Sequence, residues 1–244
     1  MTESSLKIQA LLLKATNKKH YKNAKKVSAK LPEGFTVTFH AGALGTKPNT
    51  LDSIIKSLEY GAKVVEFDVT FRPDGTAVII HSDAPKADEG VLLDEALAIV
   101  AADKESKINL DIKSTANLPE VDRLVRKHGL FERVFYTGVF EEWVETVKKT
   151  SEIPYYLNHK LTAEESNSEE KLQALAEKII SLGAIGLNSN LKNASTLSTE
   201  VMHKNGLLVS LWTANKPSDM SKVIACLPDN LTTKKPHIVL DMLK

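Results

Sequence analysis

From Phe35 onward, short apolar runs alternate along the chain with segments of helical spacing. Apolar runs of about four to eight residues, bounded by polar or turn residues, are typical of buried strands. The pattern therefore predicts a chain of alternating strands and helices. The candidate strands are residues 36–40, 63–69, 76–81, 107–113, 132–137, 154–158, 184–188, 207–212 and 236–240.

Between most of these strands, apolar residues recur at the spacing of an amphipathic helix, where they occupy one face. Residues 51–58 show the pattern with Asn49 or Thr50 as the N-cap and Gly61 just past the end. We expect helices at these places. The same spacing recurs in residues 92–100, 121–125, 172–180 and 220–227.

If residues 76–81 form an extra strand after the turn at Pro73-Asp74-Gly75, eight strands alternate with helices. Such alternation is typical of parallel strands joined by crossover helices. About 210 residues for eight units suit a compact (β/α)8 TIM barrel of the α/β class. A doubly wound open sheet is the alternative fold.

The two ends of the chain depart from this regular order. Only four residues follow the last strand candidate, 236–240, so we expect no full final helix. Before the first strand, a thin apolar face predicts an extra N-terminal helix. Its apolar residues are Leu6, Ala10, Leu13, Tyr21, Ala24 and Val27.

We interpret residues 1–30 as a basic N-terminal helical extension and residues 31–244 as a single barrel domain, since no linker-like stretch interrupts the latter. The extension is expected to cover the bottom of the barrel or to occupy the missing helix position. A solvated basic tail is the alternative.

Charge divides the chain into two unequal parts. The 244 residues carry 32 Lys+Arg and 31 Asp+Glu, a formal net charge of +1, which argues against a dedicated nucleic-acid binder. Residues 1–30 carry eight Lys and one Glu, a net +7, so residues 31–244 carry 24 minus 30, or −6. The basic segment is a candidate contact for anionic membrane surfaces.

Composition bears on compartment and rules out several classes of site. A single cysteine, Cys226, excludes an intramolecular disulfide framework and a zinc site built on several thiolates. No apolar run approaches the roughly 18 residues of a membrane helix. The apolar core Leu11-Leu12-Leu13 is too short for a secretory signal, and most of the lysines follow it. We expect a cytoplasmic protein.

Candidate chemistry comes from charged residues inside strands. Alternation puts Glu66 and Asp68 on one face of their strand, opposite an apolar face, and it does the same for Asp111 and Lys113. Active sites lie at the carboxyl ends of barrel strands. Three carboxylates there suit Mg²⁺ or Ca²⁺, which take hard oxygen ligands. The alternative is a buried ion-pair network of these acids with Lys113 and Arg72.

Two histidines end other candidate strands and would lie at the same carboxyl-terminal end of the barrel as the three carboxylates. His40 follows the first strand, and His81 ends the hairpin strand. Imidazole titrates near neutrality, so one ring is able to accept a proton from a nucleophile while the other donates one to a leaving oxygen. Two histidines, a cation site and a lysine suggest a small-molecule phosphodiester as substrate.

The segments that carry these residues are similar to those of a known family. The matching segments are His40-Ala41-Gly42, Asn49-Thr50-Leu51, the run from Gly61 to Val69, Asp74-Gly75-Thr76 before His81, the run from Leu93 to Leu97, the run from Ile108 to Lys113, and the late stretch from Gly206 to Asn215. Together they resemble the glycerophosphodiester phosphodiesterase family, over roughly residues 35–241.

The resemblance implies a (β/α)8 barrel that uses a divalent cation, Mg²⁺ or Ca²⁺, to cleave glycerophosphodiesters into glycerol phosphate and an alcohol. It implies that His40 and His81 are the acid–base pair. The metal ligands would be Glu66, Asp68 and Asp111, the last standing where the family usually has Glu. Lys113 would contact phosphate, and Trp212 would form a wall of the pocket.

The chain departs from the family pattern at three places. Ala41 stands where the family has Arg, so a bidentate phosphate contact is missing. Pro48 stands where the family has Glu, which removes a carboxylate. Only ten residues separate His81 from Leu92, where many members insert a small subdomain.

These departures leave two alternative functions. Asp111, Ala41 and the short connection also resemble the sphingomyelinase D-type phospholipases D, which form a cyclic phosphate. The loss of the Arg and Glu side chains at Ala41 and Pro48 is also compatible with a barrel that binds phosphodiesters without turning them over.

Overall fold

The structure, a computed structural model, describes residues 2–244 and contains ten strands and ten α-helices in this range. The strands are β1 Thr36–Phe39, β2 Val64–Phe71, β3 Ala77–Ile79, β4 Val91–Leu92, β5 Lys107–Ile112, β6 Val134–Val139, β7 Tyr155–Asn158, β8 Gly186–Asn190, β9 Leu208–Trp212 and β10 Asn230–Thr233. The helices are α1 Glu3–Thr16, α2 Lys18–Ser28, α3 Leu51–Glu59, α4 Leu93–Ala102, α5 Leu118–Lys127, α6 Glu141–Thr150, α7 Glu169–Leu182, α8 Thr196–Lys204, α9 Pro217–Ala225 and α10 Pro236–Leu243.

The order of these elements is that of a (β/α)8 barrel, as the alternating pattern predicted. Without the hairpin strands β3 and β4, eight strands remain in the described chain, and each is followed by one helix. The strands divide between two compact units, one formed by residues 39–158 and the other by the residues up to Thr38 with residues 159–244. The assignment of residues 31–244 to one domain stays a prediction.

In the unit of residues 39–158, β2 lies beside β5, β5 beside β6 and β6 beside β7, all parallel. The hairpin strand β3 pairs antiparallel with β2, and β4 pairs antiparallel with β3. Every residue of β2 is buried, although Glu66, Asp68 and Thr70 are polar. Charged side chains in this strand therefore lie in the protein interior.

In the other unit, β8, β9 and β10 are parallel neighbours. The prediction of a strand over residues 236–240 is wrong, because this segment begins helix α10 with Pro236 in its first turn. Ile238, Val239 and Met242 are buried, which is the spacing of a helix. The final helix that the sequence analysis expected to be missing is therefore present, although only eight residues long.

The eighth strand, β10, was missed because it is polar. Its sequence is Asn-Leu-Thr-Thr, yet all four residues are buried. Asn230 is satisfied inside the sheet, since its amide Nδ2 donates to Ser210 Oγ (3.0 Å) and its Oδ1 accepts from Thr38 Oγ1 (2.7 Å). A strand whose polar groups pair with each other shows no apolar run in the sequence.

The N-terminal segment forms two helices rather than one and docks on its own unit. Helix α1 contacts α10, and α2 contacts both α9 and α10. Leu6, Ala10, Tyr21 and Ala24 are buried in these contacts. The solvated basic tail is therefore not observed. Within residues 2–244, no helix combines the length and the apolar character needed to cross a membrane.

Candidate active site

Three carboxylates converge where β2 lies beside β5. The strand register places Asp68 opposite Asp111 and Glu66 opposite Asn109. Each of Glu66, Asp68 and Asp111 offers an oxygen, and these oxygens lie within 4.8 Å of one another. The sequence predicted that the three would share a mouth, and the structure brings them into one cluster.

Lys113 lies within this cluster. Its Nζ is 2.8 Å from Asp68 Oδ1 and also forms an ion pair with Asp111 Oδ2. Arg72 does not take part, because its guanidinium donates to the backbone oxygens of Glu89 and Gly90 (2.8 Å each). One lysine therefore faces three carboxylates. The ion-pair network that was the alternative to a metal site thus contains Lys113 but not Arg72.

Burial and charge set opposite protonation tendencies within the cluster. Burial raises the pKa of Glu66 well above its usual value, and the neighbouring carboxylates of Asp68 and Asp111 add to this rise. Burial also acts on Asp68, but Lys113 and a hydrogen bond from Asn49 outweigh it and lower the pKa of Asp68. Although burial opposes its charge, Lys113 has a raised pKa because Asp111 and Asp68 contact it.

His40 lies against Glu66 at the end of β1. Its Nδ1 is 3.0 Å from the carbonyl oxygen of Ala41 and 3.6 Å from Glu66 Oε2. The backbone N–H of Ala41 donates to the same Glu66 oxygen (2.7 Å). Since a carbonyl oxygen only accepts, the contact with Ala41 places the ring proton of neutral His40 on Nδ1.

His81 lies on the other side of the cluster, against Asp68. Its Nδ1 is 3.2 Å from Asp68 Oδ2, and its side chain is 76% exposed. The two histidines thus contact different carboxylates, His40 the deeply buried Glu66 and His81 the ionised Asp68. The exposed ring of His81 is open to a solute that approaches from solvent.

Residues 40–50 supply a ligand-positioning contact that the sequence analysis did not assign. Asn49 Nδ2 donates to Asp68 Oδ2 (2.7 Å), and Asn49 Oδ1 accepts from the backbone N–H of Asp68 (3.0 Å). Asn49 has a φ of 55°, which asparagine tolerates. Gly42 has a φ of 80°, and a Cβ there would lie 2.8 Å from Pro48 Cγ. This tight loop holds Asp68 in place.

Asp111 is positioned by β6, because the pairing of β5 with β6 places Thr137 directly opposite it. The register of β6 shifts between Tyr136 and Val139. The Thr137 hydroxyl lies within hydrogen-bonding distance of both Asn109 Oδ1 (2.7 Å) and Asp111 Oδ1 (3.1 Å). At Gly138 a Cβ would lie 2.6 Å from Asp111 Oδ1, so only glycine leaves room for this carboxylate. No sequence motif marks these contacts; the Thr-Gly pair alone hints at a bulge.

Trp212 is the one predicted site residue that lies in the other unit. It ends β9 and is half-buried. Its indole Nε1 is buried and has no hydrogen-bond partner among the residues that the structure describes. Its predicted role as a pocket wall stays a prediction.

The donor set of the cluster fits a hard divalent cation. All three candidate ligands are carboxylates, which Mg²⁺ and Ca²⁺ prefer. With Lys113 protonated, the cluster retains a net charge of −2 when all three acids are ionised, and this excess adds to burial in raising the pKa of Glu66. A divalent cation would balance this charge and allow Glu66 to ionise.

Comparison with known proteins relates these features to one family. Residues 40–88 match the sequence model of the Glycerophosphoryl diester phosphodiesterase family. The matched segment contains His40, Glu66, Asp68 and His81 and ends before Asp111.

Two relatives extend the likeness over most of the chain. A glycerophosphodiester phosphodiesterase of Caldanaerobacter subterraneus is 23% identical over 244 residues, covering 85% of this chain and 97% of the relative. The uncharacterized protein YqiK of Bacillus subtilis is 27% identical over 236 residues, covering 84% and 97% respectively.

Solved structures show the same fold. A phosphodiesterase of Oleispira antarctica, in complex with the product sn-glycerol-3-phosphate, is 21% identical with a TM-score of 0.69, covering 89% of this chain and 98% of its own. A glycerophosphodiester phosphodiesterase of Parabacteroides distasonis is 18% identical with a TM-score of 0.66, covering 85% and 96%.

Fold, site and relatives together define a (β/α)8-barrel enzyme of the phosphoric diester hydrolase class. The resemblance to the glycerophosphodiester phosphodiesterase family, first apparent from the sequence motifs, is thereby confirmed.

Proposed function

We propose that the protein is a metal-dependent phosphodiesterase that hydrolyses glycerophosphodiesters to glycerol phosphate and an alcohol. The observation that carries the proposal is the cluster of Glu66, Asp68 and Asp111 with His40 and His81 against it. The product named in the Oleispira structure supports the choice of substrate class.

In this proposal Glu66, Asp68 and Asp111 hold Mg²⁺ or Ca²⁺. When bound, the cation would neutralise the charge of the substrate phosphate and polarise its P–O bonds. Asn49 holds Asp68 through two hydrogen bonds, and Thr137 contacts Asp111, so the carboxylates are pre-oriented. Such outer contacts fix the orientation of ligands.

His40 and His81 act as the acid–base pair. Water attacks phosphorus, the bond from phosphorus to the alcohol oxygen breaks, and the alcohol leaves with a proton. One imidazole accepts the proton of the attacking water, and the other donates one to the departing oxygen. The Nδ1 contacts with Ala41 and Asp68 orient both rings, which leaves Nε2 of His81 to exchange the proton.

Lys113 is assigned to the substrate phosphate. Its ammonium group bridges Asp68 and Asp111, so it lies beside the proposed cation position and keeps its charge at neutral pH. It is a point charge and does not replace the bidentate guanidinium that is absent at Ala41. The assignment of Trp212 to the pocket wall is part of the same proposal. A separate substitution of Trp212 is needed to test it.

The direct test is incubation of the purified chain with glycerophosphocholine and related diesters in the presence of Mg²⁺ or Ca²⁺. We expect release of the alcohol and of linear glycerol phosphate, and loss of that release with EDTA, because the carboxylates cannot orient the phosphate alone. Restoration by added cation would separate metal removal from damage to the protein.

Product analysis decides between this proposal and the two alternatives. A cyclic phosphate product would contradict hydrolysis and indicate the phospholipase D-type reaction. Binding of the diester by calorimetry without any product would indicate a binding barrel. Ala41 is the feature that favours the latter, since its side chain is a buried methyl where an arginine is expected.

A further inference from the structure

The N-terminal helix α1 carries two apolar faces, and only one of them is covered. Leu6 and Ala10 are buried, whereas Ile8, Leu11 and Leu12 are 59%, 67% and 65% exposed. These three are the most exposed large apolar side chains in the part of the chain that the structure describes.

The exposed residues form a stripe. Ile8, Leu11, Leu12 and the exposed Ala15 follow the spacing i, i+3, i+4, i+7, which places them on one side of a helix. Successive residues turn by about 100°, so this stripe lies opposite the face of Leu6 and Ala10. A stripe of this kind marks an interaction surface rather than scattered exposure.

Lys7 and Lys14 border one side of the stripe on α1, and the other lysines of residues 1–30 follow in α2 and just after it. All eight lysines of residues 1–30 are exposed, and the only acid there, Glu3, pairs with Lys7. A groove of about 300 Å³ adjoins α1 and is lined by Lys14, Lys18, Lys22 and Lys25, with Asp241 as its one acid. Lys14 follows Leu11 by three positions, so the basic groove borders the apolar stripe.

We propose that α1 and α2 form a docking surface for an anionic lipid bilayer. In this arrangement the stripe enters the boundary between headgroups and acyl chains, and the lysines contact lipid phosphates. The charge argues against a second copy of this surface as the occupant, since two faces with a net +7 each would repel. The proposal does not depend on the phosphodiesterase activity.

The test is flotation of the full-length protein with vesicles of phosphatidylcholine mixed with phosphatidylglycerol, compared with pure phosphatidylcholine. We expect binding to the mixed vesicles that weakens as salt is added, because salt screens the lysines. In the variant Ile8→Ser/Leu11→Ser/Leu12→Ser, the partition coefficient for the mixed vesicles should fall about a hundredfold. This assumes that each aliphatic side chain contributes a factor of about ten or less.

A second set of variants tests the contribution of the lysines separately from that of the apolar stripe. Lys18→Gln/Lys22→Gln/Lys26→Gln should lose about a hundredfold, at about fivefold per lysine near an anionic surface. Matched controls are Ile180→Ser, an exposed aliphatic residue on α7, and Lys104→Gln/Lys148→Gln/Lys149→Gln, three exposed lysines elsewhere. Both controls should bind as the wild type does, with circular dichroism confirming the fold of every variant.

A fluorescent label gives a direct view of insertion. The single native cysteine, Cys226, is buried, so Leu11→Cys provides one accessible thiol for an environment-sensitive dye. Mixed vesicles should shift its emission to the blue, while a dye on Ile180→Cys should not shift. Equal flotation of the wild type, the Ile8/Leu11/Leu12 variant and the Lys18/Lys22/Lys26 variant would overturn the proposal. A dimer that dissociates in the Ile8/Leu11/Leu12 variant without any vesicle binding would overturn it too.

Discussion

At the scale of single residues, the site contains three carboxylates and one lysine. The net charge of this cluster depends on whether Glu66 carries a proton. Burial beside Asp68 and Asp111 raises the pKa of Glu66, so metal-free protein holds this proton at pH values where an exposed glutamate has lost it. A cation that binds Glu66 must displace the proton, which makes protons competitors of the metal.

Metal affinity should therefore increase with pH. Because the folded-state pKa of Glu66 is raised, its ionisation lowers the stability of the metal-free protein as pH rises from about 4.5 through the raised value. Bound Mg²⁺ or Ca²⁺ offsets this loss, so the increase in Tm caused by the cation should be larger at about pH 8 than at about pH 5. Scanning calorimetry with and without cation measures it.

Glu66→Gln is the control for this dependence, because it keeps the size of the side chain and removes the titrating proton. Its metal-free stability should fall less than that of the wild type over the same rise in pH. A cation-induced shift in Tm that is independent of pH in the wild type would contradict the assignment of Glu66 as a ligand.

The acid–base pair is tested by replacing each histidine. His40→Ala and His81→Ala should each lower kcat by about a hundredfold or more, the usual contribution of a general acid or base. His203→Ala is a suitable control, since His203 pairs with Asp229 in the unit that does not contain the cluster. Turnover like that of the wild type in either site variant would refute the assignment.

At the scale of elements, strand register and one bulge assemble the site. Alternation along β2 and β5 predicts which residues share a face, because it is a local property of an extended chain. The alignment of Asp68 with Asp111 depends on how two strands pair, and that register does not follow from alternation within either strand. The same is true of the pairing of β5 with β6, which places Thr137 opposite Asp111, and of the bulge between Tyr136 and Val139 that contains Gly138.

Gly138→Ala tests the role of this bulge. A Cβ would lie 2.4 Å from the backbone oxygen of Ile112 and 2.6 Å from Asp111 Oδ1, at a φ of 78°. We expect a loss of about 2–4 kcal/mol in the free energy of unfolding from strain and overpacking, and weaker cation binding as Asp111 moves. Denaturant unfolding and calorimetric titration measure the two effects.

Gly61→Ala separates strain from collision. Gly61 has a φ of 87°, but a Cβ there has no atom within 4 Å, so only the backbone term of about 1–2 kcal/mol remains. Cation binding by Gly61→Ala should equal that of the wild type. The same reduction in affinity for both variants would show that the collision with Asp111 does not matter.

At the scale of the whole molecule, charge and apolar surface are unevenly distributed along the chain. The first 30 residues carry +7 and residues 31–244 carry −6. Helices α1 and α2 attach to α9 and α10 through few buried side chains, with Tyr21 the largest. Its hydroxyl donates to the carbonyl oxygen of Ala10 (3.4 Å), which joins the two helices.

Tyr21→Ala should therefore release α1 and α2 while the barrel strands stay folded. Removing a buried aromatic ring costs about 3 kcal/mol or more, enough to open two short helices that are otherwise weakly held. Native-state hydrogen exchange should show faster exchange in residues 3–28 and unchanged protection in β2 and β5.

Tyr21→Phe keeps the ring and removes only the hydroxyl, so its effect should stay within about 1 kcal/mol. If Tyr21→Ala instead accelerated exchange equally throughout the chain, the two helices would unfold together with the rest of the protein. In that case the interpretation of α1 and α2 as a separately attached element would be wrong.

Sequence alone was enough to predict the alternation of strands and helices and the three carboxylates and two histidines of the site, but not Asn49 and Thr137, which contact those carboxylates. Both predictions follow from local periodicity: alternation puts Glu66 and Asp68 on one face of β2, and strand ends carry His40 and His81. Tertiary structure decided the rest, because it depends on contacts between distant segments. Residues 236–240 became helical in packing, the polar β10 became a strand through paired hydrogen bonds, and α1 buried Leu6 while leaving Leu11 exposed.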